Sequence, residues 1–170
     1  AEAPKEGAAD MDMTKMGPMA RKPTNEKAPK KEIDEIYKQE EAISKKGDLD
    51  ALAARVEFPV YMATDDAKGV PEAKLYDREA YIAMMKPFVE NMPKDTKTTH
   101  KLTTSVLSDS LVVVVDDFAM TMGKTKFSGR NSALLVKRDG QWKWKAMAEA
   151  GWGGMDHPAA PPAGMPPTTK

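Results

Sequence analysis

The feature that most constrains this chain is a run of four long extended segments joined by very short connections. The segments span residues 97–107, 111–122, 125–137 and 141–149. The last connection is Asp139-Gly140, the dipeptide most typical of a tight hairpin turn. Strands joined so closely pair with their neighbours along the chain. The sequence therefore predicts a four-stranded antiparallel meander, against which the remainder of the chain must fold.

Three helices are predicted ahead of this meander. In residues 31–46 apolar side chains recur at helical spacing, and Gly47 ends the helix. Asp48 is a suitable N-cap for a short second helix that ends before Pro59, and Asp77 can cap a third. The apolar face of the second helix would be Leu49, Leu52, Ala53 and Val56. This order indicates an α+β fold with three N-terminal helices packed on one face of a curved antiparallel meander sheet.

The composition excludes several classes of function. The 26 Lys and Arg balance the 26 Asp and Glu, so no charge footprint for nucleic acid or an anionic membrane is present. The absence of Cys excludes a disulfide framework, a thiolate zinc site and a cysteine nucleophile. No apolar run approaches the ~18 residues that span a bilayer. We expect no nucleic-acid partner and no transmembrane segment.

We divide the chain into one folded domain and two tails. Residues 31–154 hold the predicted helices and strands. Residues 1–30 are rich in Ala, Pro, Lys and Glu without apolar periodicity, and residues 155–170 are rich in Pro, so we expect both tails to be disordered. The chain opens at Ala1 rather than at Met, as a mature protein does after removal of a signal peptide. We therefore expect a periplasmic or secreted protein.

Short turns also predict how the strands pair. If Gly123-Lys124 is a two-residue turn, Asp116 lies opposite Asn131, and the Asp-Gly turn sets Trp144 opposite Leu135. The inner face then holds Val112, Val114, Asp116, Phe118, Met120, Met122, Phe127, Asn131, Ala133, Leu135, Trp142 and Trp144. The outer face holds Leu111, Val113, Val115, Asp117, Arg130, Leu134, Val136 and Met147, with Lys143 and Lys145. Because both faces are largely apolar, we predict a homodimer that covers the outer face.

The order of elements resembles the nuclear transport factor 2-like superfamily, in particular its SnoaL-like and ketosteroid-isomerase-like branches. The resemblance rests on GDLDALAARVEFPV at 47–60, on the helix at 77–91 and on KRDGQWKWKAMAEAGW at 137–152. It implies a cone-shaped α+β barrel with a cavity between helices and sheet, commonly dimeric. The isomerases carry a catalytic acid in a Val-Glu-Asp-Pro-Val-like segment. Phe58 occupies that position here, so the isomerase mechanism is not expected.

Asp116 is the candidate catalytic residue. Strand alternation sends it and Asp117 to opposite faces, and the inner carboxylate would face an aromatic-lined cavity beside Asn131. If Ser108-Asp109-Ser110 is a three-residue loop, His100 also points inward. Burial would raise the pKa of such a carboxyl and suit it to act as an acid, a base or a ligand anchor. The alternative is a satisfied polar pair near the rim of the sheet.

Ligand contacts are predicted from residues near the same face. The candidates are Tyr61, Asn131, Trp142, Trp144 and Trp152. Tyr61 would line the mouth of the cavity, and Trp152, which lies among glycines, would cap it. For the aromatic residues the alternative is ordinary packing.

The tails contain an unusual number of methionines. Met11, Met13, Met16, Met19 and, in the other tail, His157 could bind copper(I), because thioethers are soft ligands. The alternative is a low-complexity tail that happens to contain Met. We predict no other cofactor.

Three functions follow from these features. The first is an exported protein that binds a small, largely apolar ligand or serves an assembly role, without proven catalysis. The second is a SnoaL-like enzyme in which Asp116, with His100 or Asn131, transfers a proton on a carbonyl substrate. The third is copper(I) handling by the Met-rich tails.

Overall fold

The computed structural model describes residues 23–154, together with Asp12 and Gly17. The helices in this part of the chain are α1 (Lys27–Lys46), α2 (Leu49–Ala54) and α3 (Arg78–Asn91). The strands are β1 (Val56–Asp65), β2 (Pro71–Tyr76), β3 (Lys97–Ser108), β4 (Leu111–Met122), β5 (Thr125–Arg138) and β6 (Gln141–Glu149). The predicted α+β class is confirmed.

Each helix begins where a side chain accepts hydrogen bonds from free backbone N–H groups. Asp48 and Asp77 are the N-caps of α2 and α3, as predicted. The side chain of Asn25 accepts at the start of α1, which begins at Lys27 rather than at residue 31. The apolar pattern did not mark this first turn, in which Pro29 is the buried residue. No helix in the described part of the chain is long and apolar enough to cross a bilayer.

The six strands form one sheet in the order β2-β1-β6-β5-β4-β3. The predicted meander is confirmed, since β3 to β6 pair with their chain neighbours in antiparallel order. Parallel pairing adds β1 to β6, and β2 forms the edge. The β1–β2 hairpin lies between α2 and α3, so the three helices are not consecutive elements. β2 is exposed along most of its length, so its sequence carries no apolar alternation.

The short turns give the pairing that the sequence predicts. Asp116 lies opposite Asn131, and Trp144 lies opposite Leu135. Val56, which the sequence assigned to α2, instead begins β1 opposite Trp144. His100 faces inward as expected. The predicted three-residue loop after β3 is instead a two-residue turn, and a register shift near the end of β3 accounts for the difference.

A bulge in β6 changes which residues face inward. Leu134 and Leu135 are consecutive in β5, but their partners in β6 are Ala146 and Trp144, so Lys145 between them is an extra residue. Such an insertion reverses the alternation of side chains along the strand. Trp144 before the bulge is buried in the core, and Met147 after it packs against the same core. The prediction that Met147 lies on the outer face is therefore wrong. Glu149, two residues further on, also turns inward.

The side chain of Lys145 stabilises the irregular beginning of β1. Between Val56 and Tyr61, β1 has more residues than the facing part of β6. The Lys145 ammonium donates to the carbonyl oxygens of Pro59 at 2.6 Å and of Glu57 at 3.4 Å. Backbone carbonyls that the irregular pairing leaves without a strand partner are thereby satisfied.

Two tryptophans attach α1 to the inner face of the sheet. Trp142 donates from its indole nitrogen to Glu32, and Trp144 donates to Glu40 at 2.8 Å. Both rings are only 6% exposed, and Tyr37 packs edge-to-face against Trp144. Buried indole N–H groups need acceptors, so these two glutamates determine where α1 lies on the sheet.

We predict that Glu32→Ala destabilises the fold by about 1–3 kcal/mol, because the Trp142 N–H would stay buried without an acceptor. Glu35→Ala is the matched control, since Glu35 on the same helix has only an exposed ion pair with Lys38. Urea unfolding of both variants measures the difference. Equal losses of stability in the two variants would show that the tryptophan bond contributes nothing specific.

Candidate functional site

A histidine and a buried aspartate meet on the inner face of the sheet. Asp116 of β4 is 1% exposed, and its Oδ2 lies 2.7 Å from Nδ1 of His100 on β3. A carboxylate accepts, so Nδ1 is the donor in this bond. The His100 side chain is 26% exposed, which connects the buried carboxylate to solvent. The structure therefore brings these two candidate residues into contact.

The hydroxyl of Tyr37 adds a third polar group. Its ring on α1 packs edge-to-face against His100, with ring centroids 5.3 Å apart. Burial, then the charges of Asp116 and Glu40, raises the pKa of the Tyr37 phenol well above its usual value. The phenol therefore stays protonated and can donate a hydrogen bond.

Two oxygens at this site lack a hydrogen-bond partner. Across the described residues, the buried side-chain atoms without a partner are the Tyr37 hydroxyl, Asp116 Oδ1 and the Thr96 hydroxyl. Two of these three atoms belong to the group around His100. A buried polar atom without a partner costs about 1–3 kcal/mol, so their pairing in one place needs a functional explanation.

A row of polar residues extends from Asp116 across the inner face. Asn131 of β5 lies opposite Asp116, and Glu149 of β6 lies opposite Asn131. Burial raises the pKa of the Glu149 carboxyl, and the charge of Asp116 raises it further, while a hydrogen bond from Trp152 lowers it. We call Asp116, Asn131 and Glu149 the polar row.

Glu40 is the second carboxyl with a raised pKa. Burial raises the pKa of Glu40 to about 7, although its hydrogen bond with Trp144 and the charges of Arg55 and His100 oppose the shift. A carboxyl that titrates near neutral pH therefore lies on the α1 side of the site.

The structure brings most of the predicted site residues together. Asp116, His100 and Asn131 lie at one place on the inner face, and Trp144 reaches the same place through its contact with Tyr37. Trp142 lies on the same face but contacts Glu32, further along α1. Trp152 hydrogen-bonds Glu149 at the end of the polar row.

Tyr61 does not join the other predicted residues. It is 47% exposed and lines a shallow depression of about 210 Å³ on the outer side of the sheet. Val113, Leu134 and Ala146 line the same depression, because strand alternation turns them away from α1. The prediction that Tyr61 lines the mouth of the cavity is wrong, because Tyr61 lies with outer-face residues.

The metal candidates fall outside the described residues. Met11, Met13, Met16, Met19 and His157 all lie in parts of the tails that the structure does not describe. Between residues 23 and 154, no group of three or more His, Asp or Glu side chains is arranged to hold a metal ion.

Sequence reasoning missed Tyr37, Glu40 and Glu149. Tyr37 lies on the apolar stripe of α1, which indicates packing, and nothing in its spacing reveals a hydroxyl without a partner. Glu40 looks like an ordinary surface residue of a charged helix. Glu149 was missed because unbroken alternation from Trp144 predicts that it faces outward, and the bulge at Lys145 reverses this.

Comparison with known proteins identifies the fold. No protein-family model matches the chain, and a search of curated proteins finds no significant sequence match. An NTF2-like protein of unknown function from Shewanella oneidensis MR-1 is 20% identical, with a TM-score of 0.58 over 72% of this chain and 98% of that chain. A second NTF2-like protein of unknown function, from Pseudomonas putida KT2440, is 12% identical, with a TM-score of 0.60 over 73% of this chain and 87% of that chain.

A third similar structure is described as "Putative Scytalone Dehydratase" from Novosphingobium aromaticivorans DSM 12444. It is 17% identical, with a TM-score of 0.54 over 72% of this chain and 83% of that chain. Identities this low show the fold alone. The chain has an NTF2-like fold, as the sequence resemblance implied.

We predict that Glu40→Gln removes part of the pH dependence of stability. The folded pKa of Glu40 is about 7 against an ordinary 4.5, so the unfolded chain ionises first as pH rises. Wild-type stability therefore falls between these values by roughly 3 kcal/mol from this group. The Gln carbonyl still accepts from Trp144, so the variant should match wild type near pH 4.5 and be more stable at pH 8.

Urea unfolding between pH 4.5 and 8 measures this effect. Glu35→Gln, an exposed change on the same helix, is the control and should keep the wild-type slope. A Glu40→Gln slope equal to that of wild type would contradict the raised pKa of Glu40.

Proposed function

We propose that this NTF2-like protein binds a small molecule with an apolar body and one hydrogen-bonding group on the inner face of the sheet. The observation that supports this proposal is that two oxygens without hydrogen-bond partners, the Tyr37 hydroxyl and Asp116 Oδ1, belong to side chains that both contact His100. A ligand group that hydrogen-bonds to both oxygens would remove the free-energy cost of leaving two buried polar atoms without partners.

The chemistry of these two atoms specifies the ligand group. The Tyr37 phenol donates, and the Asp116 carboxylate accepts, so a hydroxyl that does both is the best match. Apolar side chains lie beside these polar groups, since Trp144 and Val114 are buried and Leu102 packs against the same core. A hydroxyl on an aromatic or alicyclic body therefore fits the site.

We predict that Asp116→Asn weakens the binding of 2-naphthol, an apolar ring system with one hydroxyl, by at least about tenfold. The amide can still accept from His100, but it then presents an NH2 donor where Oδ1 was an acceptor. Fluorescence titration of the naphthol measures the dissociation constant.

Asp117→Asn is the matched control. It makes the same chemical change one residue away, on the opposite face, where Asp117 is bound to Arg130. Equal affinities of the Asp116→Asn and Asp117→Asn variants would contradict binding at the inner carboxylate.

A second candidate function is proton transfer, which the bond between His100 and Asp116 favours. A carboxylate that accepts from Nδ1 sets the tautomer and leaves the lone pair on Nε2, which then serves as a base. Phe58, at the position of the acid in the isomerases, packs edge-to-face on Tyr81 in the core. His100 is therefore the base in this proposal.

The proton balance of this reaction is simple. His100 Nε2 takes a proton from the carbon next to a carbonyl, the C–H bond breaks, and the electron pair moves to the carbonyl oxygen. The Tyr37 O–H donates to the enolate oxygen. The proton on Nε2 exchanges with solvent, and transfer from Nε2 back to the carbon, with the electron pair returning from the enolate oxygen, completes the cycle. Burial of the phenol, which keeps it protonated, suits this role.

We predict that the protein accelerates exchange of the α-protons of 2-tetralone with D2O, and that His100→Gln abolishes the acceleration. His157→Gln is the control, because His157 is the second of the two histidines in the chain. Proton NMR follows the loss of the α-proton signal. Acceleration by the His100→Gln variant equal to that of wild type would remove the catalytic role.

The other sequence-based functions stay predictions. The apolar depression on the outer side, lined by Val113, Leu134 and Ala146, is compatible with the predicted homodimer or with an assembly role. Copper(I) binding concerns residues outside the described part of the chain. None of the contacts described above tests whether the protein is exported.

A further inference from the structure

Two depressions lie side by side on the outer side of the sheet. The first, of about 210 Å³, has an almost wholly apolar lining that includes Tyr61, Val113, Leu134 and Ala146. The second, of about 280 Å³, is lined by Leu111 and Val136 together with the charged residues Glu57, Lys137, Arg138 and Lys145. An apolar surface and a charged one therefore lie on the same side of the sheet.

The pairing of the strands shows that the two depressions adjoin. Val113 pairs with Leu134 in the first depression, and Leu111 pairs with Val136 in the second. Residues two apart on one strand share a face and lie about 7 Å from each other. On β6, Ala146 of the first depression directly follows Lys145 of the second. We call the two depressions together the outer groove.

Cations outnumber carboxylates at the charged end of the outer groove. Arg138 pairs with Glu57 at 3.0 Å, and Lys137 pairs with Glu32 of α1 at 2.9 Å. Within residues 23–154, no carboxylate pairs with the Lys145 ammonium, which donates to two backbone carbonyls of β1. One positive charge of the groove is therefore left without a carboxylate partner.

The Lys145 ammonium can bind one more acceptor. An ammonium has three N–H donors, and the two carbonyls occupy two of them, one at a long 3.4 Å. The side chain is half-buried, so water screens its charge less than that of a fully exposed lysine. An oxyanion bound to Lys145 has the apolar depression directly beside it, at Ala146.

We propose that the outer groove binds a single-chain amphiphilic anion, such as a medium-chain fatty acid. The carboxylate binds Lys145, and the alkyl chain lies on Val113, Leu134 and Ala146. The zero net charge of the chain gives no general attraction to an anionic membrane, so the ligand is the free amphiphile. This site lies on the opposite face from Asp116 and does not depend on the function proposed above.

The test is a titration of the full chain with sodium octanoate, followed by proton–nitrogen correlation NMR. We expect saturable shifts of the amides of Leu134, Lys145 and Ala146. The dissociation constant should fall about threefold for each methylene added from hexanoate to octanoate. Octanol, which has the same chain without the charge, should bind at least about tenfold more weakly. Saturable shifts confined to the surroundings of His100 and Asp116 would contradict the proposal.

Two substitutions change the charge of the groove in opposite directions. Lys145→Met removes the cation and should weaken octanoate binding at least about tenfold. Glu57→Gln removes the carboxylate that opposes the ligand and should strengthen binding about threefold. Lys126→Met is the matched control, because Lys126 is an exposed lysine near the other end of β5, and it should keep the wild-type affinity within about twofold.

The Lys145 side chain also stabilises the start of β1, so circular dichroism must show that Lys145→Met is folded. If it is not, Glu57→Gln alone decides the role of charge. An affinity of the Glu57→Gln variant equal to that of wild type or lower would contradict the proposal.

A second copy of the chain is the rival occupant of this surface. Sedimentation velocity of wild type and of Leu134→Asp, with and without octanoate, distinguishes the two. We expect Leu134→Asp to abolish octanoate binding, because it puts a carboxylate where the alkyl chain lies. A wild-type dimer that Leu134→Asp dissociates, with no octanoate binding to wild type, would overturn the proposal. Asp116→Asn should bind octanoate as wild type does, so failure of the inner site leaves this inference intact.

Discussion

Lys145, the extra residue in β6, determines what the inner face of this sheet contains. Before the bulge, Trp142 and Trp144 face α1 and anchor it. After the bulge, Glu149 faces the same side and ends the polar row. Unbroken alternation would turn one of these two groups to the outer side. The attachment of α1 and the composition of the candidate site therefore depend on the same local irregularity, which the Lys145 ammonium stabilises through carbonyls of β1.

The inner face combines groups that stabilise the fold with groups that destabilise it. The bond from Trp144 to Glu40 satisfies a buried indole, yet burial raises the pKa of Glu40 to about 7, which shows that ionisation there is unfavourable. The Tyr37 hydroxyl and Asp116 Oδ1 have no partner in the described chain. Departures from good packing that gather at one place are typical of functional sites, where stability is exchanged for binding or reactivity.

Pairing was predictable where a tight turn connects two strands and no bulge follows it. The two-residue turn at Gly123-Lys124 sets Asp116 opposite Asn131, because the register between β4 and β5 is unbroken. β2 escaped prediction because it is an exposed edge strand whose side chains follow no apolar alternation. The parallel pairing of β1 with β6 escaped for another reason, since a pairing between distant segments leaves no mark in local sequence.

By itself, the sequence determined the α+β class, the meander and the shared face of Asp116, Trp142 and Trp144, because periodicity and turn chemistry act over a few residues. Only the tertiary structure decided that the Tyr37 ring packs against His100, that Glu149 turns inward and that Trp152 reaches Phe88. Each of these contacts joins segments far apart in the chain, or depends on one inserted residue that no periodic pattern reveals. Such contacts are set by the packing of the whole domain, where burial and hydrogen bonding are decided together.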